Sequence, residues 1–359
     1  MRTSLKEQRP IRPEPLTGLA VVTAIALTAW LLVALASRVP GLLQTVPLSM
    51  MLIAIVIGLG LAGMASSRPK WQPGLELARG PILKIAVALI GLRLSLAELG
   101  QLGLQALPLV VLVVTLGLGM TLLLARLVGA HWRLAALLAA GTAICGASAI
   151  AAAAPGLKAS STETCYAVAC IALIGLLATL AYPPLLSLLL DRPEQIGLVM
   201  GVAIHDTAQV TAAAVFHEQA WATEGSLASA TVAKLMRNST MLLVIPALVW
   251  YANRDRSGKT ASVPFPLFIV AFIALSGLRT LGDAWLGSGQ ATWNQVIALA
   301  GQLSLFGFAM AMAALAMSIR LTELKTLGWK PAAAALVSAV GILLIALGWV
   351  FGVNSLNLT

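Results

Sequence analysis

The stretch Gly-Thr-Ala-Ile-Cys-Gly-Ala-Ser-Ala-Ile-Ala-Ala-Ala-Ala-Pro, residues 141–155, consists almost entirely of small residues within an apolar part of the chain. Gly146 lies in its middle and Pro155 at its end. Two interpretations are open. The small faces could let membrane helices pack closely, or the segment could be a discontinuous helix that contacts a substrate. Both interpretations place the segment inside a lipid bilayer.

The composition of the whole chain supports a membrane location. Of 359 residues, 59% are hydrophobic and 10% are charged, against about 25% charged in a soluble domain. Apolar segments of about 20 residues, long enough to cross a bilayer, occupy residues 16–37, 45–64, 80–97, 105–125, 133–155, 165–190, 195–216, 227–252, 264–285, 293–319 and 330–352. We therefore predict an all-α membrane protein of about eleven transmembrane helices, forming a single domain over residues 1–359.

Basic residues are concentrated in every second connection between the apolar segments, that is, in the connections on one side of the membrane. If the basic N-terminus, residues 1–15, is cytoplasmic, sixteen Lys and Arg residues lie on that side and only Arg38 and Lys158 on the other. The sixteen are Arg2, Lys6, Arg9, Arg12, Arg68, Lys70, Arg79, Arg126, Arg133, Arg192, Arg254, Arg256, Lys259, Arg320, Lys325 and Lys330. Cytoplasmic connections carry an excess of such residues. The pattern predicts a multi-pass protein of the bacterial inner membrane with a cytoplasmic N-terminus and a periplasmic C-terminus, and no nucleic-acid partner.

Apart from the basic residues already assigned to connections, seven Lys, Arg and Asp residues lie inside the apolar segments, where charged groups are costly and usually functional. They are Lys84, Arg93, Asp206, Lys234, Arg237, Arg279 and Asp283. Lys84 lies near the cytoplasmic end of its segment, so we interpret it as reaching the lipid headgroups. Arg279 and Asp283 are spaced for a local ion pair. For Arg93, a headgroup contact and a place in a polar cavity are equally open.

The strongest constellation joins the seventh and eighth segments. Its members are His205, Asp206 and Gln209 on the seventh and Lys234, Arg237 and Asn238 on the eighth. At 1.5 Å per residue, Asp206 and Arg237 both lie about 15 Å deep, near the bilayer midplane. An Asp206–Arg237 ion pair would satisfy both groups but leave Lys234 as uncompensated buried charge. A bound anion would balance that charge, so we favour a functional site.

Four motifs, in this order along the chain, resemble those of the YeiH-like family, whose members are labelled sulfate exporters. They are Gly-Thr-Ala-Ile-Cys-Gly-Ala-Ser-Ala-Ile-Ala-Ala from residue 141, Ile-His-Asp-Thr-Ala-Gln-Val-Thr-Ala-Ala from 204, Lys-Leu-Met-Arg from 234 and Ala-Met-Ala-Ala-Leu-Ala-Met from 311. The resemblance extends from about the second segment to the end. It departs at Asp206, where the family often has Glu, so the charge is kept and the reach of the side chain differs.

The resemblance implies an architecture similar to the cation/proton antiporter and bile-acid symporter superfamily. That architecture has two inverted five-helix repeats, each with a discontinuous helix that crosses the other. Residues 16–44 would form a peripheral first helix, and residues 45–190 and 195–352 the two repeats. The discontinuous helices would then be the fifth and tenth segments.

We predict a secondary transporter that exports a small oxyanion such as sulfate or sulfite by alternating access, coupled to protons or sodium. The candidate substrate-binding residues are Lys234, Arg237, Asn238, Gln209, Arg93, Gly141, Thr142, Cys145, Gly146 and Ser148, and the candidate coupling residues are His205 and Asp206. A monovalent cation/proton antiporter and a passive anion channel remain as alternatives. We expect no enzymatic activity, cofactor or metal site, and a homodimer is left open.

Overall fold

The computed structural model describes residues 16–36, 49–253, 267–286, 290–318 and 326–355. Within these ranges the chain is helical and has no strand. Seven of the described helices are long and apolar enough to cross a membrane, which confirms the prediction of an all-α, multi-pass membrane protein. The predicted basic N-terminus, residues 1–15, lies outside the described residues, as do Arg38, Arg254, Arg256, Lys259, Arg320 and Lys325.

Sixteen α-helices are described, with short turns that extend some of them. They are α1 (Leu16–Ala36), α2 (Met50–Gly60), α3 (Ala62–Ser67), α4 (Gln72–Leu77), α5 (Leu83–Ile90), α6 (Leu96–Leu127), α7 (Trp132–Ala143), α8 (Ala147–Leu157), α9 (Ser161–Ser187), α10 (Pro193–Ala203), α11 (Thr207–Trp221), α12 (Ser226–Ser239), α13 (Met241–Asn253), α14 (Leu267–Leu286), α15 (Ala291–Met317) and α16 (Lys330–Ser355). A 3-10 turn before α4, a π turn between α4 and α5 and a second 3-10 turn after α5 make residues 69–93 one irregular helical segment.

Helix α10 runs parallel to α12. Gly197 packs on Ser226, and four residues further along both helices Gly201 packs on Ala230. A Cβ atom at Gly201 would lie 2.6 Å from the carbonyl oxygen of Ala230. Glycine at these positions therefore allows the two backbones to approach closely, as small residues do in membrane helix pairs.

Helix α11 runs antiparallel to α12. Thr207, at its beginning, accepts a hydrogen bond at Oγ1 from Nδ2 of Asn238 at 3.0 Å, near the end of α12. His217, near the end of α11, lies 3.1 Å from the hydroxyl of Ser226 at the beginning of α12. Since α10 is parallel to α12 and α11 antiparallel to it, the chain reverses at residues 204–206. We call residues 193–221 hairpin 2.

Helices α7 and α8 also turn back on each other. A Cβ atom added to Gly141 of α7 would lie 2.8 Å from Cδ1 of Ile150 in α8, whereas nine residues of continuous helix would separate the two by about 13 Å. The reversal occurs at Gly146, whose φ of 67° and ψ of −131° are conformations that glycine adopts readily. We call residues 132–157 hairpin 1.

The following helix confirms that hairpin 1 enters and leaves at one end of the bundle. Tyr166, near the start of α9, donates a 2.5 Å hydrogen bond to the carbonyl of Gly328, just before α16. Helix α16 packs antiparallel on α6, with Ile342 against Gly117 and Gly341 against Met120. The start of α9 therefore lies beside the end of α6, where α7 begins.

The fifth and seventh apolar segments are thus re-entrant hairpins, and the prediction that each crosses the membrane as a single span is wrong. The fifth segment is unwound at residues 144–146. The tenth segment, predicted to be discontinuous, is instead the continuous helix α15. Residues 309–317 of α15 are all Ala, Met or Leu, which are strong helix formers. The division into repeats at 45–190 and 195–352 stays a prediction.

The two ends of the bundle differ in charge. We call the end where α6 terminates the basic end; its described residues include seven bases and two acids, namely Arg68, Lys70, Arg79, Arg126, Arg133, Lys158 and Lys330 with Glu76 and Glu163. The opposite end has three bases and six acids, namely Arg93, Arg192 and Arg279 with Glu98, Asp191, Glu194, Glu218, Glu224 and Asp283. Because the hairpins re-enter, Lys158 and Arg192 lie on the sides opposite to those predicted.

The helices pack in two groups. Helices α1 to α5, α14 and α15 contact one another and form what we call the frame group. Helices α6 to α13 and α16, including both hairpins, form the hairpin group. Contacts between the groups are made largely by α11, which packs on α2 and α15. The frame group is therefore joined to the hairpin group through one arm of hairpin 2.

Candidate functional site

The tips of the two hairpins meet inside the hairpin group. A Cβ atom added to Gly146 in hairpin 1 would lie 3.4 Å from the Cα atom of Asp206 in hairpin 2, and Ile144, Ile204 and His205 are fully buried. The carbonyl ends of α7 and α10 and the amide ends of α8 and α11 converge at this point. Helix ends carry unpaired backbone groups and partial charge, so polar partners are required here.

Arg237 of α12 binds the carbonyl ends of both hairpins and is fully buried. Its Nε donates to the carbonyl of Ala143 at 2.8 Å, and Nη2 donates to the carbonyl of Thr142. Its Nη1 donates to Val202 at 2.6 Å and to Ile204 at 3.1 Å. A cation at helix carboxyl ends complements their partial negative charge. Arg237 therefore holds hairpin 1 and hairpin 2 together.

Lys234, one turn earlier on α12, acts on the same carbonyl ends and is also fully buried. Its Nζ donates to the carbonyls of Ile144 at 3.1 Å and Ile204 at 2.9 Å, and to the carbonyl of His205. An ammonium group has three hydrogens to donate, so all three are used. The partners of the Lys234 ammonium are neutral backbone carbonyls, and among the described residues no acid forms a salt bridge with it. Its role as a substrate ligand stays a prediction.

Asp206 caps α11 at the tip of hairpin 2. Its Oδ1 accepts a 2.9 Å hydrogen bond from the backbone N–H of Ala208, a common arrangement at helix starts. Among the salt bridges of the described residues none involves Asp206, so the alternative of an Asp206–Arg237 ion pair is not formed. The carboxylate instead lies at the wall of a cavity.

The cavity has a volume of about 780 Å³ and lies between the two helix groups. Gln72, Thr164, Phe268 and Ser318, at helix ends on the basic side of the bundle, line its outer part. Ser148 and residues 206–208 at the hairpin tips line its inner part. The cavity thus connects the basic end with the point where the hairpins meet.

Lys84 faces this cavity, and its interpretation as a headgroup contact is wrong. Its helical segment begins near Pro69 rather than at residue 80, so Lys84 lies about 18 Å beyond Gln72 at 1.5 Å per residue. The side chain is exposed to the cavity and takes part in no salt bridge with another described residue. Arg79, one turn earlier, is paired with Glu76 at 3.7 Å.

Helix α8 directs an uncapped amino end toward the same space. Its N-cap residue is Gly146, which has no side chain to accept from the first backbone N–H groups. Ser148, in the first turn, is exposed and lines the cavity. Helix amino ends attract anions because their N–H groups are free and the helix dipole is positive there. The cavity therefore contains a positive helix end and an ammonium that pairs with no acid in the described part of the chain.

The remaining predicted site residues lie around the tips, and several keep unused polar atoms. Among the described residues, both ring nitrogens of His205, Oγ1 of Thr142, Oε1 of Gln209 and Oδ1 of Asn238 are buried without a hydrogen-bond partner. Gln209 donates through Nε2 to the carbonyl of Ala172 at 2.9 Å. Cys145 is buried with its Sγ 3.9 Å from Sδ of Met241. Gly141 serves the packing of hairpin 1.

Arg93 is not brought to the hairpin tips. It lies at the opposite end, where its Nη1 is 3.9 Å from Oε2 of Glu218. Glu218 is eleven residues beyond Thr207 on α11, about 16 Å along the helix. The structure therefore assembles ten of the twelve predicted residues directly at the tips, places Gly141 within hairpin 1 and places Arg93 elsewhere.

The long apolar helices and the two buried hairpins define an integral membrane protein. The chain belongs to the family described as conserved hypothetical protein 698, whose model matches residues 17–335. This confirms the family membership inferred from the four sequence motifs. No solved structure matches the chain.

Bacterial relatives match over nearly their whole lengths. The chain is 30% identical to a UPF0324 membrane protein of Fusobacterium nucleatum over 346 residues, covering 93% of this chain and 96% of the relative. It is 30% identical to one of Bradyrhizobium diazoefficiens over 357 residues, covering 95% and 97%, and 29% identical to one of Listeria monocytogenes over 328 residues, covering 90% and 91%. The names of these relatives state a membrane location and no substrate.

Proposed function

We propose that the protein is a secondary transporter for a small oxyanion of the sulfate or sulfite type, exported by alternating access. The observation that carries this proposal is the position of Lys84. Its ammonium, without an acidic partner among the described residues, shares a cavity with Ser148 and the uncapped amino end of α8. An anion would find a charge, a hydroxyl donor and free backbone N–H groups in one place.

The role of the buried cations follows from their contacts. Arg237 and Lys234 bind the carbonyl ends of both hairpins, so they fix the tips relative to each other. The amino end of α8, whose N-cap residue Gly146 has no capping side chain, is thereby presented to the cavity. Secondary transporters often contain discontinuous helices whose amino ends point toward an anionic group and whose carboxyl ends point toward cations.

Transport by alternating access is supported by the division into two helix groups. The cavity lies between the frame group and the hairpin group, and its outer part is lined by residues at the basic end. Toward the opposite end, α11 closes the interface between the groups by packing on α2 and α15. A displacement of the hairpin group along the frame group would move the tips from one end to the other. Because the hairpins are bound to each other, they would move as one body.

We assign the basic end to the cytoplasm of a bacterium and the protein to its inner membrane. Cytoplasmic ends of membrane proteins are enriched in Lys and Arg, and the described residues include seven at this end against three at the other. With an odd number of crossings, the N-terminus is cytoplasmic and the C-terminus periplasmic. The substrate would then enter the described cavity from the cytoplasm.

Coupling to protons or sodium is assigned to Asp206, with His205 beside it. Asp206 is the acid nearest to the hairpin tips and lines the cavity, so solvent ions reach it. Protonation of its carboxylate removes a negative charge next to the anion. The same observation favours a second candidate, a monovalent cation/proton antiporter in which Asp206 binds the transported cation.

Flux of radiolabelled sulfate and sulfite into proteoliposomes under an imposed pH gradient tests the function. Wild-type protein should show gradient-driven flux, and Asp206→Asn should lose it by about tenfold or more while keeping its fold, because Asn caps a helix as well as Asp does. Protein-free vesicles are the control. The proposal is overturned if no anion moves and if sodium-dependent proton movement that requires Asp206 is seen instead.

A further inference from the structure

Hairpin 2 is bound to the frame group at the opposite end of the bundle by two polar contacts. Arg93, in the turn after α5, places Nη1 3.9 Å from Oε2 of Glu218 near the end of α11. Beside it, Oε1 of Gln219 accepts a hydrogen bond from the backbone N–H of Met50 at the start of α2, at 3.3 Å. Both contacts join an element of the frame group to the same turn of α11.

Glu218 is held in place for this contact by its own hairpin group. Its Oε1 accepts hydrogen bonds from the backbone N–H groups of Gly225 at 3.1 Å and Leu227 at 2.9 Å, so the carboxylate is fixed at the start of α12. The other oxygen, Oε2, is the one that faces Arg93. The side chain of Glu218 is 13% exposed and that of Arg93 is 37% exposed.

We propose that Arg93 and Glu218 form the gate that closes the opposite end of the transport pathway; this inference rests on the proposed alternating access. For the cavity to open at that end, α11 must separate from α2 and α15 and from Arg93, and the Arg93–Glu218 pair is the charged contact that has to break. With its charged atoms 3.9 Å apart and its arginine 37% exposed, this ion pair contributes little stability. It can therefore open and close repeatedly without trapping either state.

The gate also gives Arg93 a function at the place where it lies. As a substrate ligand at the tips it would be about 16 Å out of position, measured along α11. As a gate it needs only to meet a carboxylate of the moving group, and Glu218 supplies one. Arg93 also packs toward α15, where a Cβ atom added to Gly301 would lie 3.8 Å from its Cδ, which keeps the arginine with the frame.

Chemical labelling of the native cysteines can measure whether this gate is open or closed, so no further cysteine has to be introduced. Cys165 is exposed and lines the cavity, whereas Cys145 and Cys170 are buried. The rate at which N-ethylmaleimide labels Cys165 in the purified full chain therefore measures how much protein is open toward the basic end. Arg93→Gln and Glu218→Gln should each slow this labelling by about twofold or more, because weakening the gate shifts population toward the opposite state.

The two variants are matched to their controls. Glu218→Gln removes the charge and keeps an oxygen that accepts from Gly225 and Leu227, and Arg93→Lys keeps the charge and should label like wild type. Unchanged labelling in both Gln variants overturns the gate, and so does labelling of Cys145 or Cys170, which would report a disrupted fold. The assay contains no anion, so slower labelling together with no anion flux would retain the gate and refute the proposed substrate.

Discussion

Arg237→Met is expected to destabilise the protein by about 3–5 kcal/mol, because it leaves several buried backbone carbonyls without a donor. The substitution leaves the carbonyls of Thr142, Ala143 and Val202 without their donor. Unpaired buried carbonyls cost about 1–3 kcal/mol each. The hairpins would lose the side chain that binds both, and thermal unfolding in detergent should occur at a clearly lower temperature.

Two further variants separate this role from a direct contact with substrate. Arg133→Met removes an exposed arginine from the start of hairpin 1 and should leave the unfolding temperature nearly unchanged. Arg237→Lys keeps the charge but loses the planar guanidinium with its several N–H donors. Its unfolding temperature should lie between those of wild type and Arg237→Met. A variant Arg237→Met that unfolds like wild type and yet binds no anion would show that the guanidinium is a substrate ligand.

Lys84→Met should weaken anion binding by about 10- to 100-fold, since a hydrogen bond to a charged group contributes about 1.5–3 kcal/mol. Stability should change by no more than about 0.5 kcal/mol, because the ammonium is exposed and forms no salt bridge within the described part of the chain. Binding of sulfate to purified protein, measured by titration calorimetry, checks the first expectation, and thermal unfolding checks the second.

Lys84→Arg is the matched control, because it keeps a cation at the same depth and should retain most of the affinity. Lys158→Met, an exposed lysine at the basic end, should bind sulfate like wild type. If Lys84→Met binds sulfate as tightly as wild type does, the anion site lies elsewhere and the assignment of this cavity is wrong.

Much of the fold is predictable from hydropathy, but the direction of the fifth and seventh segments is not. Both are about as long as a membrane span, and hydropathy does not distinguish one crossing from two short helices that reverse. At Gly146 the sequence leaves a discontinuous helix open as one of two interpretations, but it does not predict that the chain reverses there. The second reversal carried a signal that sequence reasoning missed: Asp206 followed by Thr207 is a good helix start, in the middle of an apolar segment.

The site was predicted in part. The structure buries Lys234 and Arg237 completely, while their position at the bilayer midplane stays a prediction. Their partners are backbone carbonyls, which no residue type in the sequence identifies, so the sequence alone predicts a bound anion as their counter-charge. Hydropathy begins the helix of Lys84 at residue 80 and so predicts a position near the cytoplasmic end for this lysine. Pro69, at the first position of a helical turn, is the signal that places the start earlier.

The central claim, that an oxyanion binds in the cavity beside Lys84, is tested most directly through Cys165. The rate of its labelling by N-ethylmaleimide should be measured in purified wild-type protein and in Lys84→Met, with and without sulfate, at constant ionic strength. Sulfate should slow the labelling of wild type and leave that of Lys84→Met unchanged. Equal labelling of wild type with and without sulfate and sulfite, or protection by sodium instead, would contradict an anion site in this cavity.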